Sequence, residues 1–272
     1  SLSQLMFEGP QDELTLTYNA QPALLTSSYA ILQKLEEANI KPDYVAGHSL
    51  GEYSALVSAG SISFQDAVFA VHMRGKYMEE AVPAGKGAMS AVLGMPSGDL
   101  DKIVKEVTET VGPVQLANLN CPGQIVISGS SEGVQAAGEK AKEAGAKRVI
   151  PLDVSGPFHS SLMKPAASKL SNLLEGIHIA EPTVPIIGNV DANEITDAQL
   201  IEQKLVEQLY SPVRWEESVE RMITLGVDTF IEVGPGKVLC GLIKKVNRRV
   251  TTIPVYDKET LNVAIEKLKV EE

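Results

Sequence analysis

The stretch DYVAGHSLGEYSALVSAG, residues 43–60, places Ser49 between glycines at Gly47 and Gly51. A serine nucleophile on a sharp strand-to-helix turn needs small residues two positions away on each side, because the turn is too tight for bulk there. Apolar residues precede the motif and a helical pattern follows it, as such a turn requires. Ser49 is therefore a candidate nucleophile, and the N–H of Leu50 is a candidate oxyanion donor. The alternative is a serine that falls between glycines by chance.

A serine hydroxyl needs a general base, and the sequence contains four histidines. His159 lies in the irregular segment VSGPFHSSLM, between two differently patterned parts of the chain, and loops at such junctions line clefts. It is the preferred base, with a structural loop histidine as the alternative. His48 neighbours the serine, but adjacent side chains diverge in a sharp turn, so we expect it to pack or hydrogen-bond beside the substrate. His72 and His178 suit core or surface roles.

Alternating strand and helix patterns predict the elements that position these residues. Before residue 85 and after residue 154 the alternation is typical of a parallel sheet covered by helices. Pro22 is predicted in the first turn of the helix that begins QPALL. Residues 85–154 follow the order strand, helix, strand, strand, helix, strand, which is that of a ferredoxin-like domain. The predicted fold is α/β, with a discontinuous catalytic domain at 1–84 and 155–272 and an inserted domain at 85–154.

Composition argues against several classes of protein. The chain has 272 residues, a net charge of −11 and only 5% aromatic residues. The acidic balance disfavours a general nucleic-acid binder, and no apolar run approaches the roughly 20 residues of a membrane span. The two cysteines, Cys121 and Cys240, lack the spacing of a disulfide framework or a zinc site, and no signal-peptide pattern is present. The predicted location is the cytoplasm.

Six segments, in the same order along nearly the whole chain, closely resemble the bacterial malonyl-CoA:acyl carrier protein transacylases of type II fatty-acid synthesis. They are GHSLGEYSAL, MRGKYM, ANLNCPGQIVISG, GPFHSSLMKPA, QLYSPVRWEESV and EVGPGKVLCGL. The resemblance implies an α/β-hydrolase-like parallel-sheet core with a ferredoxin-like insertion. It implies an acyltransferase that forms a malonyl-serine intermediate, with malonyl-CoA and acyl carrier protein as partners. No cofactor is implied, since malonyl-CoA is a substrate.

The resemblance also implies roles for individual residues. Ser49 would be acylated and His159 would be its base. Gln208 would orient the histidine through an acceptor oxygen, in place of the aspartate of a full triad. Such a neutral acceptor makes physical sense, because it orients an imidazole without a buried carboxylate.

Three further residues are implied around the acyl group. Arg74 would grip the free carboxylate of malonate, because a guanidinium matches a carboxylate with two parallel hydrogen bonds. Gln21 matches a glutamine near the pocket. Phe158 matches a phenylalanine found where malonyl is preferred over branched methylmalonyl units.

The chain departs from the family at its first residues. Family members begin with a strand and a GQGSQ loop whose first glutamine supplies a second oxyanion N–H. This chain begins SLSQLMFEGPQDELTL, which resembles a position well inside a family member. Without that segment, we expect a sheet that lacks a strand and an oxyanion hole that lacks one donor. Losing one such donor costs about a hundred- to a thousandfold in rate.

Basic residues form two groups, the pair Lys147 and Arg148 and the segment that holds Lys244 and Lys245. They are either solvated surface or a docking patch for the acidic carrier protein.

The residues taken alone leave two other functions open. A serine hydrolase would use an acid such as Asp153 and an apolar acyl pocket, in which Arg74 would be out of place. A catalytically impaired carrier-protein binding module is the second alternative.

Overall fold

The computed structural model describes residues 1–269, in which helices and short strands alternate. The helices are α1 Leu2–Glu8, α2 Gln11–Thr15, α3 Thr17–Glu37, α4 Gly51–Ser58, α5 Phe64–Glu80, α6 Ser97–Thr110, α7 Ser131–Glu143, α8 Lys164–Leu174, α9 Ala198–Gln208, α10 Trp215–Thr224, α11 Val238–Val246 and α12 Lys258–Lys269. The strands are β1 Val45–Ala46, β2 Gly87–Leu93, β3 Val114–Cys121, β4 Gln124–Ser130, β5 Arg148–Pro151, β6 Ile186–Ile187, β7 Glu194–Ile195, β8 Thr229–Val233 and β9 Thr251–Val255.

The main part of the molecule contains two separate parallel strand pairs covered by helices. In one, β1 pairs with β6, and β7 adds an antiparallel edge; in the other, β8 pairs with β9. A groove of about 1110 Å³ is lined by residues of both β1 and β8. The expectation of a parallel α/β core is confirmed, although its strands do not form one continuous sheet among the described residues.

Residues 87–151 form a four-stranded antiparallel sheet in the order β3-β4-β2-β5. This is the ferredoxin-like order, and the predicted sequence of elements is confirmed. The apolar sides of α6 and α7 pack on the sheet around a core that includes Val92, Leu100 and Ile127. The predicted limits of this domain, 85–154, stay a prediction.

The small sheet is joined to the main part by backbone hydrogen bonds. The N–H of Leu119 donates to the carbonyl of Val213 at 2.9 Å, and the N–H of Val213 donates to the carbonyl of Ala117 at 2.8 Å. The segment that follows α9 therefore continues the edge of the ferredoxin-like sheet.

Helix α3 differs from the prediction, because Pro22 lies inside it and not in its first turn. A proline has no N–H to donate to the carbonyl four residues earlier, which is that of Tyr18. That carbonyl accepts instead from Nδ1 of His72 on α5, at 2.7 Å. The helix starts earlier than predicted because a neighbouring helix satisfies the carbonyl that the proline leaves free.

Within residues 1–269, none of the helices combines the length and the apolar character needed to cross a membrane.

Candidate active site

Ser49 occupies the turn between β1 and α4 with a φ of 53°, in the left-handed region that non-glycine residues rarely adopt. Such strain is concentrated at functional sites, where the surrounding structure holds it. Gly47 is required by close approach, because a Cβ there would overlap the backbone of Gly51. A Cβ on Gly51 would meet open space. The expectation that both glycines are needed is therefore confirmed for Gly47 and is wrong for Gly51, which begins the helix and lines the groove.

The two glycines provide a matched pair of substitutions. Gly47→Ala should slow acylation of Ser49 by about a hundredfold or more, since displacing a reacting group by about 1 Å is enough for that effect. Gly51→Ala should retain activity within a fewfold, because its side chain enters open space and alanine favours a helix. Single-turnover acylation rates of the two folded variants test this. Equal losses would show that the close approach at Gly47 is not what shapes the turn.

His159 is within hydrogen-bonding distance of Ser49. The distance from Ser49 Oγ to His159 Nε2 is 2.8 Å, and Nδ1 lies 2.8 Å from the main-chain carbonyl of Gln208. A carbonyl can only accept, so Nδ1 carries the proton and Nε2 is free to accept the serine proton. Burial, and then the positive charge of Arg74, lower the pKa of His159 from 6.5 to about 3. The imidazole is therefore neutral near pH 7, as a general base must be.

The backbone around His159 is held by Gln115 of β3. His159 also has a positive φ, of 56°. Nε2 of Gln115 donates to the carbonyls of His159 and Tyr210, each at 3.2 Å, and Oε1 accepts from the N–H of Ser161 at 2.8 Å. One side chain of the ferredoxin-like sheet thus connects the loop that carries His159 with the segment just after Gln208.

Arg74 projects from α5 to the same point, and its side chain is 1% exposed. Nη2 donates to Ser49 Oγ at 3.0 Å and to Oε1 of Gln208 at 2.8 Å. Nη1 donates to Oε1 of Gln21 at 2.6 Å. The residues predicted from the sequence and the resemblance therefore converge on one place, although they come from five separate parts of the chain.

Within residues 1–269, no carboxylate is bound to the guanidinium of Arg74. The oxygens that accept its hydrogen bonds belong to two neutral amides and one hydroxyl, and its Nε–H is buried without a partner. Its guanidinium carbon lies 5.6 Å from the centre of the Tyr53 ring, an attractive but weak contact. A buried cation without a paired anion is costly, and an incoming carboxylate removes that cost.

The side-chain amide of Gln208 connects these groups to Glu52. Its Nε2 donates to the carbonyl of Ser49 at 3.1 Å and to Oε2 of Glu52 at 2.5 Å. Burial raises the pKa of Glu52 from 4.5 to about 7, although the amide of Gln208 opposes the shift. The predicted acceptor oxygen for the histidine belongs to the main chain of Gln208, while its side chain positions Arg74.

The raised pKa of Glu52 predicts a specific dependence of stability on pH. The folded protein holds this proton between pH 4.5 and about 7 while the unfolded chain releases it. Glu52 therefore contributes stability that is fully present below pH 4.5 and is lost as the pH rises to 7, by up to about 1.4 kcal/mol per pH unit. Glu52→Gln removes this pH-dependent contribution. The free energy of unfolding of the variant, minus that of the unsubstituted protein, should therefore increase as the pH rises from 4.5 to about 7.

Urea unfolding at a series of pH values measures that difference, with the exposed Glu109→Gln as the control. His159 acts in the opposite direction, since its depressed pKa removes stability as the pH falls from 6.5 towards 3. The contribution of His159 is the same in all three proteins, so it cancels when their free energies of unfolding are subtracted. Curves for Glu52→Gln and the unsubstituted protein that run parallel would contradict the prediction.

The other predicted residues lie around this centre. The N–H of Leu50 has no acceptor among the described residues, as an oxyanion donor requires. Nε2 of His48 lies 2.8 Å from Oδ1 of Asn120, so this histidine hydrogen-bonds to the ferredoxin-like sheet and not to Ser49. Phe158 packs against both the main core and the cluster of Met89 and its neighbours.

Three residues at the site were not predicted: Gln115, Glu52 and Asn189. Glu52 directly follows the GHSLG motif, one helical turn from Ser49. Asn189 comes two residues after β6, and the carboxyl ends of neighbouring parallel strands meet at one edge of a sheet. That rule was available as a signal for Asn189, whereas nothing in the local sequence marks Gln115.

No group of three or more His, Cys, Asp or Glu side chains in the described part of the chain is arranged to hold a metal ion.

Comparison with known proteins places the chain in a family. A model of the acyl transferase domain matches residues 1–268. The malonyl CoA-acyl carrier protein transacylase of Bacillus subtilis is 62% identical over 270 residues, which are 99% of this chain and 85% of that protein.

Solved structures show the same arrangement of the chain. The malonyl CoA-acyl carrier protein transacylase of Clostridium perfringens superposes with a TM-score of 0.95 at 42% identity, over 99% of this chain and 85% of that one. A malonyl-transacylase in complex with its type II PKS acyl-carrier protein gives a TM-score of 0.95 at 46% identity, over 98% of this chain and 86% of that one. The α/β-hydrolase-like core with its ferredoxin-like insertion is thus confirmed, and the chain belongs to the acyl transferase domain family.

Proposed function

We propose that this protein transfers a malonyl group from malonyl-CoA to the phosphopantetheine thiol of acyl carrier protein, for fatty-acid synthesis. The observation that carries the proposal is the buried guanidinium of Arg74, which lies 3.0 Å from the nucleophile and has no bound carboxylate among the described residues. A malonyl group brings a carboxylate to the serine, whereas an acetyl group does not. The names of the relative at 62% identity and of the complex with a carrier protein support the same reaction.

The first half-reaction uses the geometry at Ser49. His159 Nε2 takes the hydroxyl proton as Oγ attacks the thioester carbonyl of malonyl-CoA, and the oxyanion is stabilised by the N–H of Leu50. The carbonyl re-forms, the C–S bond breaks, and the histidine returns its proton to the CoA sulfur. Arg74 holds the distal carboxylate throughout, so the carbonyl is presented to Oγ in one orientation.

The second half-reaction is the reverse with another thiol. The phosphopantetheine thiol of the carrier protein gives its proton to His159 and attacks the malonyl ester, and Ser49 recovers its proton as it leaves. The acceptor for His159 Nδ1 is a main-chain carbonyl and not a carboxylate, which argues against the triad of a hydrolase. No cofactor takes part, and we assign the reaction to the cytoplasm.

The experiment that tests this function compares two fates of the acyl group. Purified protein with malonyl-CoA and holo acyl carrier protein should form malonyl carrier protein much faster than it releases free malonate. Faster release of malonate would identify a serine hydrolase. Carrier-protein binding without any acylation of Ser49 would identify a binding module.

Two pairs of basic residues are proposed to dock the acidic carrier protein. The side chain of Lys147 packs against Gly94, whose N–H donates to the carbonyl of Gly123. Next to that turn, Nζ of Lys245 donates to Oε1 of Gln124 at 3.1 Å. The fold thus brings one residue of each pair, Lys147 and Lys245, close to the turn between β3 and β4, although they are far apart in sequence. Two cations facing one acidic partner favour association at low salt.

Charge reversal tests this surface. Changing Lys147, Arg148 and Lys245 to glutamate should lower kcat/KM for carrier protein by about tenfold or more at low salt, with a smaller loss at high salt. Lys244 is a separate case, because its ammonium already bonds the carbonyls of Arg248 and Val250. Acylation by malonyl-CoA, measured without carrier protein, is the control and should not change. Equal transfer rates at both salt concentrations would remove the docking role.

A further inference from the structure

Asn189 is fully buried beneath the nucleophile, and its side chain makes two hydrogen bonds to the backbone that leads into Ser49. Its Nδ2 donates to the carbonyl of Gly47 at 2.7 Å, and its Oδ1 accepts from the N–H of Ser49 at 2.7 Å. A backbone peptide of a neighbouring strand would make the same pair of bonds. The amide side chain therefore continues the pairing of β1 with β6 past the point where both strands end.

These two bonds contribute to holding the turn in its strained conformation. Ser49 has a φ of 53°, which costs on the order of a factor of ten or more in population unless other contacts fix it. A chain that relaxed to negative φ would rotate the serine Cα and carry Oγ away from His159. Asn189 fixes the chain before the Ser49 Cα through these bonds, while Nε2 of Gln208 and the N–H of Glu52 hold the Ser49 carbonyl after it, each at 3.1 Å. With the peptide planes on both sides of Ser49 held, rotation about its φ is opposed.

The same bonds decide which N–H can face the substrate. The N–H of Ser49 is already donated to Asn189, so it is not available to an oxyanion. The next one, that of Leu50, has no acceptor among residues 1–269 and remains available. The oxygen of Asn189 also accepts from Nε2 of Gln208 at 3.3 Å, which connects the nucleophile turn to the residue that supplies the acceptor for the base.

We propose that Asn189 is a positioning residue for catalysis: it fixes the backbone of Ser49 so that Oγ points at His159 and the N–H of Leu50 points at the developing oxyanion. The inference rests on the proposed acyl transfer for its substrate, but its geometry concerns any reaction of this serine. Asn189 touches neither the acyl group nor the reacting atoms in this assignment. Its replacement should therefore affect the rate of the chemical step and not the recognition of malonate.

The test replaces Asn189 by alanine, with Asn193→Ala as the matched control, because Asn193 lies in the same loop with an exposed side chain. Two rates are measured on each protein: single-turnover acylation by malonyl-CoA, and covalent labelling of Ser49 by a fluorophosphonate. Asn189→Ala should slow both by about a hundredfold, since that is the effect of a displacement of about 1 Å at a reacting group. Its KM for malonyl-CoA should stay within threefold, and the control should match the unsubstituted protein.

A second variant and a stability control distinguish a positioning role of Asn189 in catalysis from a purely structural one. Asn189→Asp preserves size and the acceptor for the N–H of Ser49, but it places an oxygen against the carbonyl of Gly47, so it should lose at least as much. Val104→Ala, in the core of the ferredoxin-like domain, lowers stability at a distance and should leave both rates within threefold.

The outcomes separate this inference from the proposed function. Fluorophosphonate labelling that stays within threefold of normal in a folded Asn189 variant would overturn the inference, as would rate losses no larger than those of Val104→Ala. Failure of both Asn189 variants to fold would also overturn it, because the role would then be structural. Failure of the proposed function would appear instead as an unsubstituted protein that is labelled at Ser49 but does not transfer malonate.

Discussion

Arg74→Ala should reduce kcat/KM for malonyl transfer by on the order of a thousandfold, because it leaves the malonyl carboxylate without its partner in a buried site. Acetyl transfer should fall far less, by about tenfold, through the loss of the 3.0 Å bond from Nη2 to Ser49 Oγ. The ratio of malonyl to acetyl transfer is the quantity to measure, since it cancels any general effect on the nucleophile. We expect that ratio to drop by about a hundredfold.

Arg74→Lys is the matched comparison. Lysine keeps the charge but supplies no planar pair of donors, so it should retain part of the selectivity for malonyl. Both variants leave Oε1 of Gln21 and of Gln208 with fewer donors, and their thermal midpoints should be measured beside the rates. Equal fractional losses for malonyl and acetyl transfer would contradict the role of Arg74 as the carboxylate partner.

His159→Ala should lower the rate of acylation of Ser49 by about a thousandfold, within the range of 10² to 10⁴ typical of general bases. The imidazole is the group that takes the serine proton, and no other histidine is bonded to Ser49 among the described residues. His178→Ala is the control, because that histidine is exposed, and it should behave as the unsubstituted protein. Added imidazole should restore part of the activity of His159→Ala but not of Ser49→Ala.

The pH profile gives a second check on His159. Its pKa of about 3 keeps the imidazole neutral above roughly pH 4, so protonation of the base should not limit acylation between pH 5 and 8. Acylation by the folded protein that falls through a midpoint near pH 6.5 would show that the site does not depress this pKa. Activity of His159→Ala within tenfold of normal would remove the residue from the mechanism.

The sequence alone was enough to select Ser49 and His159, because a nucleophile turn and a junction loop each have a local pattern. The glycine rule was only half right, since the need for Gly47 comes from its approach to the backbone of Gly51, while the space beside Gly51 is open. Arg74 carries no local signal on its helix. It was found through the resemblance, whose motifs hold information about contacts that spacing does not contain.

What escaped prediction depends on non-local register. Asn189 lies at the nucleophile because β1 and β6 pair with Val45 opposite Ile186. The strand-end rule points to the residues after β6, but this register, which selects Asn189 among them, cannot be read from either two-residue strand. Gln208 was expected to serve the histidine, but α9 ends so that its main-chain carbonyl does this while its side chain turns to Arg74. The position of Pro22 within α3 likewise depends on His72 of another helix.

The intact mass of the chain before and after brief incubation with malonyl-CoA, followed by peptide mapping, tests the Ser49–His159–Arg74 mechanism most directly. We predict a gain of one malonyl group per chain, located on residue 49, which is lost when holo carrier protein is added and which Ser49→Ala does not acquire. A folded chain that gains no mass, or one that carries the malonyl group on another residue, would contradict the mechanism.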